Sequence, residues 1–455
     1  MTRDVDVVVV GLGPGGEDVA GSLASAGLVV VGVEAELVGG ECPYWACVPS
    51  KMMIRAANVV ADARRAPLLA GAVSLAPDFS VVARRIRDEA TDDWDDQVAA
   101  DRFTGKGGIL VRGRGELVSR DTVRVGDEEY RARRGIVIAT GSSPVIPPIE
   151  GLDDTPYWTN REAVSATEAP SSLVVLGGGA VGCELAQVFA RFGSQVTIIE
   201  AGDRLLPGEV AAAGELIGSV FAAEGIAVRT GDAVTAVSHD GTQFRVVTGT
   251  GSVEAERLLV ATGRRANLRN LGLGTAGLSE DLRVLPVDGQ LAVAPGIWAV
   301  GDVTGAGAFT HTAIYQAGIA TQAILGTPTA DADYRALPRV TFTDPEVGAV
   351  GLTPDAAREQ GRRVRVGTVQ VSATSRGWIH GPGNDGFIQV VEDADEGVLV
   401  GATSVGPEGG EVLGLLSVAV QARVPVRELG STIFAYPTFH RGVADALRAL
   451  ADDRP

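Results

Sequence analysis

The chemistry of this chain concentrates at residues 39–51, Gly-Gly-Glu-Cys-Pro-Tyr-Trp-Ala-Cys-Val-Pro-Ser-Lys, where four residues separate Cys42 from Cys47 and Lys51 follows. A thiolate is the form of cysteine that attacks a disulfide sulfur or takes a soft metal, and a nearby cation favours it. A metal centre would need further ligands, but the third cysteine is Cys183 and the four histidines, 239, 311, 380 and 440, show no ligand spacing, so no metal is expected. The glycines, the aromatic pair and the lysine describe a built loop rather than a core strand, so the two thiols read as redox-active. Cys183 falls in a helical stretch after a glycine loop, where a small apolar side chain serves packing.

Two glycine loops position this chemistry. Val5 to Val10 is a β-branched run ending at Gly11-Leu12-Gly13-Pro14-Gly15-Gly16, followed by a helix-length segment, a second apolar run from Leu28 to Val33, and Glu34. In such a strand–turn–helix–strand–acid unit Gly11 makes the tight turn, Gly13 lets backbone N–H groups approach a pyrophosphate, and Gly16 lets the helix lie close to the sheet. Glu34 is placed to accept from a ribose hydroxyl. The pattern recurs from Ser172 through Gly177, Gly179 and Gly182, a helix to Phe192, then Gln195 to Ile199 and Glu200. Two copies in full context imply two dinucleotide sites. Each is followed by an apolar strand and Ala-Thr-Gly, at Ala139-Thr140-Gly141 and Ala261-Thr262-Gly263, which argues for a duplicated architecture.

Between these landmarks, Val82, Ile86, Ala90, Trp94 and Val98 recur every four residues and predict a helix, and short alternating strands are expected from Ile109 to Val125. The prolines from Pro144 to Pro148 and Gly151 predict a linker near residue 150. Ile297 to Val300 followed by Gly301-Asp302 reads as a strand ending in an acid that returns the chain to the first domain. Strand-like runs at Val340 to Phe342, Val364 to Val371, Phe387 to Val391 and Val398 to Val405, then a helical pattern from Val412 to Ala422, predict an antiparallel sheet backed by helices.

The chain has 455 residues, room for about three domains. Its 60 glycines are close to twice the usual share and follow no collagen-like period. With 39 basic against 57 acidic residues the net charge of −18 repels a phosphate backbone, so nucleic acid is excluded as a partner. No window approaches the roughly 18 apolar residues of a membrane span and no secretion signal is visible, so the expected location is cytoplasmic.

These residues resemble the pyridine nucleotide-disulfide oxidoreductase family along essentially the whole chain. The resemblance rests on both glycine loops, the segment 39–51, ATGSSPVIPPIEGL from Ala139, ATGRRAN from Ala261, Gly301-Asp302, and FTDPEVGAVGLT from Phe342. It implies an α/β fold with two Rossmann-like dinucleotide-binding domains plus a C-terminal α+β dimerisation domain: FAD-binding at 1–150 and 271–334, NAD(P)-binding at 151–270, and an interface domain at 335–455. It implies a homodimeric FAD/NAD(P)-dependent disulfide oxidoreductase whose electrons pass from NAD(P)H by FAD to a Cys42–Cys47 disulfide and on to a small thiol, disulfide or other acceptor. By position Cys47 is the thiol beside the flavin and Cys42 the outer, exchanging one, with Lys51 near the flavin and paired with Glu184. Gly11, Gly13, Gly16, Glu34, Gly40, Lys51, Gly115, Thr140, Gly141 and Asp302 are the implied FAD-side residues, and Gly177, Gly179, Gly182, Glu200 and Gly263 those of the second nucleotide. A carboxylate at Glu200 repels a 2′-phosphate and favours NADH, with Arg204 nearby pulling the other way.

One departure bears on the substrate. Disulfide-reducing members carry His-Pro-Thr with a glutamate five residues beyond the histidine, whereas this chain has Tyr436-Pro437-Thr438-Phe439-His440-Arg441. Tyrosine and arginine occupy the positions of the base pair, and an unperturbed phenol near pKa 10 is a poor base at neutral pH. His440 is a candidate substitute, its direction set by a helix if one starts at Pro437, and Arg441 is placed to favour an anion. Mercury-reducing members use a tyrosine but add a C-terminal cysteine pair, and no cysteine follows Cys183. Two alternatives stand beside the reductase: a redox-responsive FAD-binding protein with little turnover, and the carboxylating, C–S-cleaving branch, which shares Cys-Pro-x-x-Ala-Cys and lacks the His-Glu pair.

Overall fold

The computed structural model describes residues 2–452. They form two compact units, one taking the chain to Ser50, Arg84–Val145 and Gly263–Asp333, the other Lys51–Ala83, Ile146–Thr262 and the chain from Tyr334 on.

The first unit is built on an eight-stranded sheet whose main path runs Ala292–Ala294, Ile297–Ala299, Glu128–Ile138, Thr2–Val10, Val30–Glu34, Ile109–Arg112. From Ile297–Ala299 onward these pairings are parallel. Parallel strands covered on both faces need no polar alternation, which is why Val7 to Val10 and Val30 to Val33 read as continuous apolar runs and are buried. One core cluster covers one face with Val8, Val10, Ile136 and Leu285; another covers the other with Val7, Val9, Leu23 and Ala320. Helix Pro14–Ser25 starts with proline in its first turn, where the missing N–H costs nothing. It lies so close to helix Thr310–Leu325 that a Cβ on Gly15 would meet the Ala313 Cβ at 3.1 Å.

In the second unit a parallel four-stranded sheet, ordered Ala227–Thr230, Gln195–Glu200, Ser172–Leu176, Arg257–Val260, repeats the strand–helix–strand design, and a three-stranded antiparallel sheet spans residues 234–255. The C-terminal portion is a five-stranded antiparallel sheet, ordered Pro338–Thr341, Glu346–Gly351, Val398–Gly406, Phe387–Asp393, Val364–Gln370, backed by helices Gly409–Gln421 and Gly442–Asp452. Val390, Leu413, Leu416 and Ala446 are among the residues of its core.

Two local expectations differ from what is observed, and one strand was not expected at all. The helix expected through Val82, Ile86, Ala90, Trp94 and Val98 is an α-helix over Phe79–Arg85, a π-helical turn over Ile86–Ala90 and a separate helix Gln97–Gly105. Between them Asp92, Asp93 and Trp94 take φ of 49, 53 and 59°, so Val98 ends up 70% exposed while Ile86 is fully buried. Aspartates compete for backbone hydrogen bonds, and the run Thr91-Asp92-Asp93-Trp94-Asp95-Asp96 outweighed the spacing. Strand Glu346–Gly351 carried no alternation because its interior is wholly buried, Gly348 lying where a Cβ would meet the Gly409 carbonyl at 2.9 Å. No helix starts at Pro437; the last one begins at Gly442, leaving His440 in a turn.

Candidate active site

The two glycine loops are geometric copies. A Cβ on Gly11 (φ +96°) would stand 2.4 Å from the Ala139 carbonyl oxygen, and one on Gly177 (φ +107°) 2.4 Å from that of Ala261. Gly16 and Gly182 each pack 2.0 Å, by the same measure, from the carbonyl of the loop's first glycine. Gly13 and Gly179 cap helices Pro14–Ser25 and Ala180–Arg191 in extended conformation without a side-chain cap. Those helix N-termini therefore present backbone N–H groups and a positive dipole end, an arrangement able to hold a phosphate.

The acids close the loops. Glu34 accepts from the Leu12 N–H (2.7 Å) and the Glu36 N–H (2.8 Å), and Glu200 from the Gly178 N–H and the Gly202 N–H, both at 2.6 Å. Burial raises the Glu34 carboxyl above the usual carboxylate range, opposed by those N–H donors. Arg204 is engaged within its own loop, donating to the carbonyls of Pro207 (2.9 Å) and Glu209 (3.3 Å).

The thiol loop is seated on the first of these sites. Gly40 (φ +66°) lies where a Cβ would meet Gly13 Cα at 2.8 Å, so the two loops touch through glycines. Cys42 lies in the single helical turn Glu41–Tyr44, and Cys47 opens the 19-residue helix Cys47–Arg65, where a helix N-terminus favours a thiolate. Cys47 Sγ lies 3.4 Å from Thr310 Oγ1, a hydroxyl able to donate to that sulfur. Both thiols are partly buried. Cys183 is fully buried, within 3.3 Å of the Gly178 carbonyl, and burial pushes its thiol far up, which makes it inert.

Lys51 follows one turn along the same helix. Its Nζ donates to Glu184 Oε2 at 2.9 Å and lies 4.6 Å above the Phe342 ring, while the Phe342 N–H donates to Glu184 Oε1 at 2.8 Å. The buried carboxylate of Glu184 thus has one oxygen for the ammonium and one for the backbone, which fixes the lysine without leaving a buried charge unpaired.

Of the other expected residues, Asp302 Oδ2 accepts from Ser142 Oγ at 2.5 Å just beyond Gly301 (φ +81°). Thr140 donates its hydroxyl to the Asn267 carbonyl (2.8 Å), and the Asn267 N–H donates to the Gly141 carbonyl (2.9 Å), tying Ala-Thr-Gly to the returning chain. Gly115 lies where a Cβ would crowd Val10 and Val123, and Gly263 takes φ of +116° with open space beside it. Tyr436 is 69% exposed, with the Arg441 guanidinium 5.6 Å above its ring and 3.4 Å from Asp445. His440 Nε2 lies 3.3 Å from Thr438 Oγ1. Sequence reasoning missed Thr310, Ser142, Phe342 and Asn267 as partners; Ser142, Phe342 and Asn267 stood in stretches already singled out, whereas Thr310 opens helix Thr310–Leu325 with nothing in its spacing to mark it.

Among the described residues no group of three or more His, Cys, Asp or Glu side chains could hold a metal ion, and no helix is long and apolar enough to cross a membrane.

Two family descriptions match the chain, "Pyridine nucleotide-disulphide oxidoreductase" over residues 5–317 and its dimerisation domain over residues 337–447. Mercuric reductase of Acidithiobacillus ferrooxidans is 34% identical over 460 residues, covering 99% of this chain and 83% of that protein. Dihydrolipoyl dehydrogenase of Halobacterium salinarum is 35% identical over 476 residues, covering 98% and 96%. Among solved structures, the Cu(II) complex of the HOCl-induced flavoprotein disulfide reductase RclA from Escherichia coli superposes with a TM-score of 0.87 at 27% identity, covering 98% of this chain and 99% of that one. LpdA from Mycobacterium tuberculosis matches with a TM-score of 0.87 at 26% identity and the same coverage.

Proposed function

The chain belongs to the pyridine nucleotide-disulphide oxidoreductase family and is an FAD- and NAD(P)-dependent disulfide oxidoreductase; from that premise we propose that NADH reduces a Cys42–Cys47 disulfide whose dithiol then reduces a small acceptor without a histidine base. The observation that carries it is the seating of the thiol loop on the first glycine loop, Gly40 against Gly13, with Cys47 at a helix N-terminus beside Thr310.

FAD fits the first site: the glycine loop would hold its pyrophosphate at Gly11, Gly13 and Gly16, Glu34 its ribose, and Asp302 with Ser142 its ribityl-phosphate portion. When bound it supplies two-electron relay between nicotinamide and disulfide. Gly177, Gly179, Gly182, Glu200 and Gly263 are assigned to NADH. Arg204 supports this choice, because its guanidinium is already engaged by the Pro207 and Glu209 carbonyls, while the Glu200 carboxylate would repel a 2′-phosphate.

The chain's own thiols exchange as follows. Cys42 thiolate attacks one sulfur of an acceptor disulfide, giving a mixed disulfide and releasing the first thiolate. Cys47 thiolate then attacks Cys42 Sγ, releasing the second thiolate and restoring the Cys42–Cys47 bond. Thr310 is placed to donate to the Cys47 sulfur once that sulfur is a thiolate, and Lys51 is held by Glu184. Tyr436 lies in the dimerisation domain and is assigned to the dithiol of a second copy of the chain; its phenol is a poor base for the leaving thiolates at neutral pH, so acceptors that take electrons without needing a proton are favoured over lipoamide-type disulfides. Exposed Trp378, Ile379 and Tyr436 line a cavity of about 340 Å³ in the dimerisation domain, and their exposure supports a homodimer.

The test is an acceptor screen with NADH and NADPH against disulfides, quinones, Hg(II), Cu(II) and oxygen, with Cys42→Ser and Cys47→Ser alongside. Preference for NADH and loss of thiol-dependent turnover in both variants are expected; full turnover of every acceptor by Cys42→Ser would overturn the assignment.

A further inference from the structure

The residues between the two thiols are gripped by a strained segment from elsewhere in the first unit. The Trp94 ring stacks on Trp45, centroids 5.5 Å apart and planes at 20°, and Trp94 Nε1 donates to the Tyr44 carbonyl at 3.3 Å. Trp94 therefore holds two of the four residues separating Cys42 from Cys47, one by its backbone and one by its ring.

Its own backbone is costly. Asp92, Asp93 and Trp94 form three consecutive non-glycine residues with left-handed φ, a conformation that L side chains disfavour and rarely repeat. The run is fixed at both ends. Before it, the π-helical turn Ile86–Ala90 closes on Thr91, which is buried and donates its hydroxyl to the Ile86 carbonyl at 3.0 Å. After it, buried Asp96 accepts from both terminal nitrogens of Arg112 (2.6 and 2.7 Å) and from the Val38 N–H (2.6 Å). Val38 immediately precedes the glycines of the thiol loop. Packing of Trp94 alone needs no such backbone; what the strained run achieves is to point an indole at the loop that carries the chemistry.

We propose that Trp94 is a positioning residue for the thiol pair, holding Pro43–Ala46 in one conformation so that Cys42 and Cys47 stay within bonding reach after reduction. The proposal rests on the Cys42–Cys47 disulfide of the preceding section. A dithiol held ready to close has a higher effective concentration of one sulfur at the other, which stabilises the disulfide against reduction. In the exchange the protein disulfide and two molecules of glutathione become the protein dithiol and one glutathione disulfide, so the equilibrium constant reads that effective concentration directly.

The experiment equilibrates the FAD-loaded protein with glutathione buffers of graded ratio, quenches with an alkylating agent and measures the disulfide fraction by mass. Trp94→Ala is expected to lower the equilibrium constant for disulfide formation about tenfold, the scale of one backbone residue's freedom, equivalent to about 30 mV toward easier reduction. Trp94→Phe keeps the stacking surface and is expected to recover most of it, with Trp45→Ala falling near Trp94→Ala. Cys183, buried in the intact fold, must stay unalkylated without denaturant in each variant compared. Equality of Trp94→Ala, Trp45→Ala and the unaltered protein within twofold would overturn the proposal alone. Absence of any Cys42–Cys47 disulfide in the unaltered protein, at every buffer ratio, would overturn the disulfide assignment and the proposal with it.

Discussion

At position 436 a phenol stands where the family resemblance implies an imidazole in disulfide-reducing members, with the Arg441 guanidinium over its ring. Tyr436→His restores a base with an unperturbed pKa near 6.5, and turnover of lipoamide-type disulfides is expected to rise about 10- to 100-fold, measured as NADH oxidation at pH 7. No rise would mean that another group already moves the proton. Gly11 gives a sharper steric expectation. Gly11→Ala drives a methyl into the Ala139 carbonyl and forces a left-handed φ on alanine, so the purified variant should retain little FAD, read from its visible absorbance. These residues stand out in the sequence because the roles proposed for them follow from residue type: a thiol, a glycine or a phenol brings its own chemistry to whatever position it holds.

Elements were legible where burial was one-sided or complete over a long run, and illegible where local chemistry opposed the pattern. The aspartates around Trp94 broke an expected helix, and glycines hid the strand Glu346–Gly351. That strand opens with a carboxyl that matters for stability. Glu346 accepts from the Gly410 N–H at 2.9 Å at the start of helix Gly409–Gln421, yet burial, reinforced by Glu408 and Glu411, raises it to about 7. A carboxyl with a raised folded pKa keeps its proton in the native state while the unfolded chain loses it, so stability falls as pH rises from about 4.5 to about 7 and is level above. Glu346→Gln should remove that decline, gaining on the order of 2 kcal/mol relative to the unaltered protein at pH 8 compared with pH 4.5, read from denaturation midpoints. A pH profile unchanged by the substitution would count against this account.

The second unit as a whole is held by a buried charge network that joins segments far apart in sequence. Arg191, 1% exposed, pairs with Glu224 (2.6 Å) and Asp344 (2.7 Å) and donates to Asn58 (2.6 Å), while Arg65 also pairs with Asp344 (2.7 Å). Arg191→Met takes that cation from partly buried Glu224 and leaves Asp344 to Arg65 alone, and is expected to cost about 3 kcal/mol, read as a lowered Tm. Beyond the single chain, Ile433 is 97% and Trp378 78% exposed, and a second copy is the occupant that the dimerisation domain calls for. Ile433→Asp combined with Trp378→Asp should shift the species seen in sedimentation toward monomer and abolish disulfide turnover, while an unchanged dimer would place the interface elsewhere.

Sequence alone marked out the two glycine loops, the closely spaced thiols and the tyrosine at position 436, because glycine spacing, β-branched runs and residue type are properties of short stretches. Only the tertiary structure decided which groups stand beside them: Thr310 at the Cys47 sulfur, Phe342 on Glu184, Arg204 on the Pro207 carbonyl, and Trp94 on the thiol loop. Thr310, Phe342 and Trp94 are brought in from distant stretches, and the direction of Arg204 depends on the fold of its own turn. Packing and backbone hydrogen bonding settle such contacts by summing many weak terms across the molecule, and no local spacing encodes that sum.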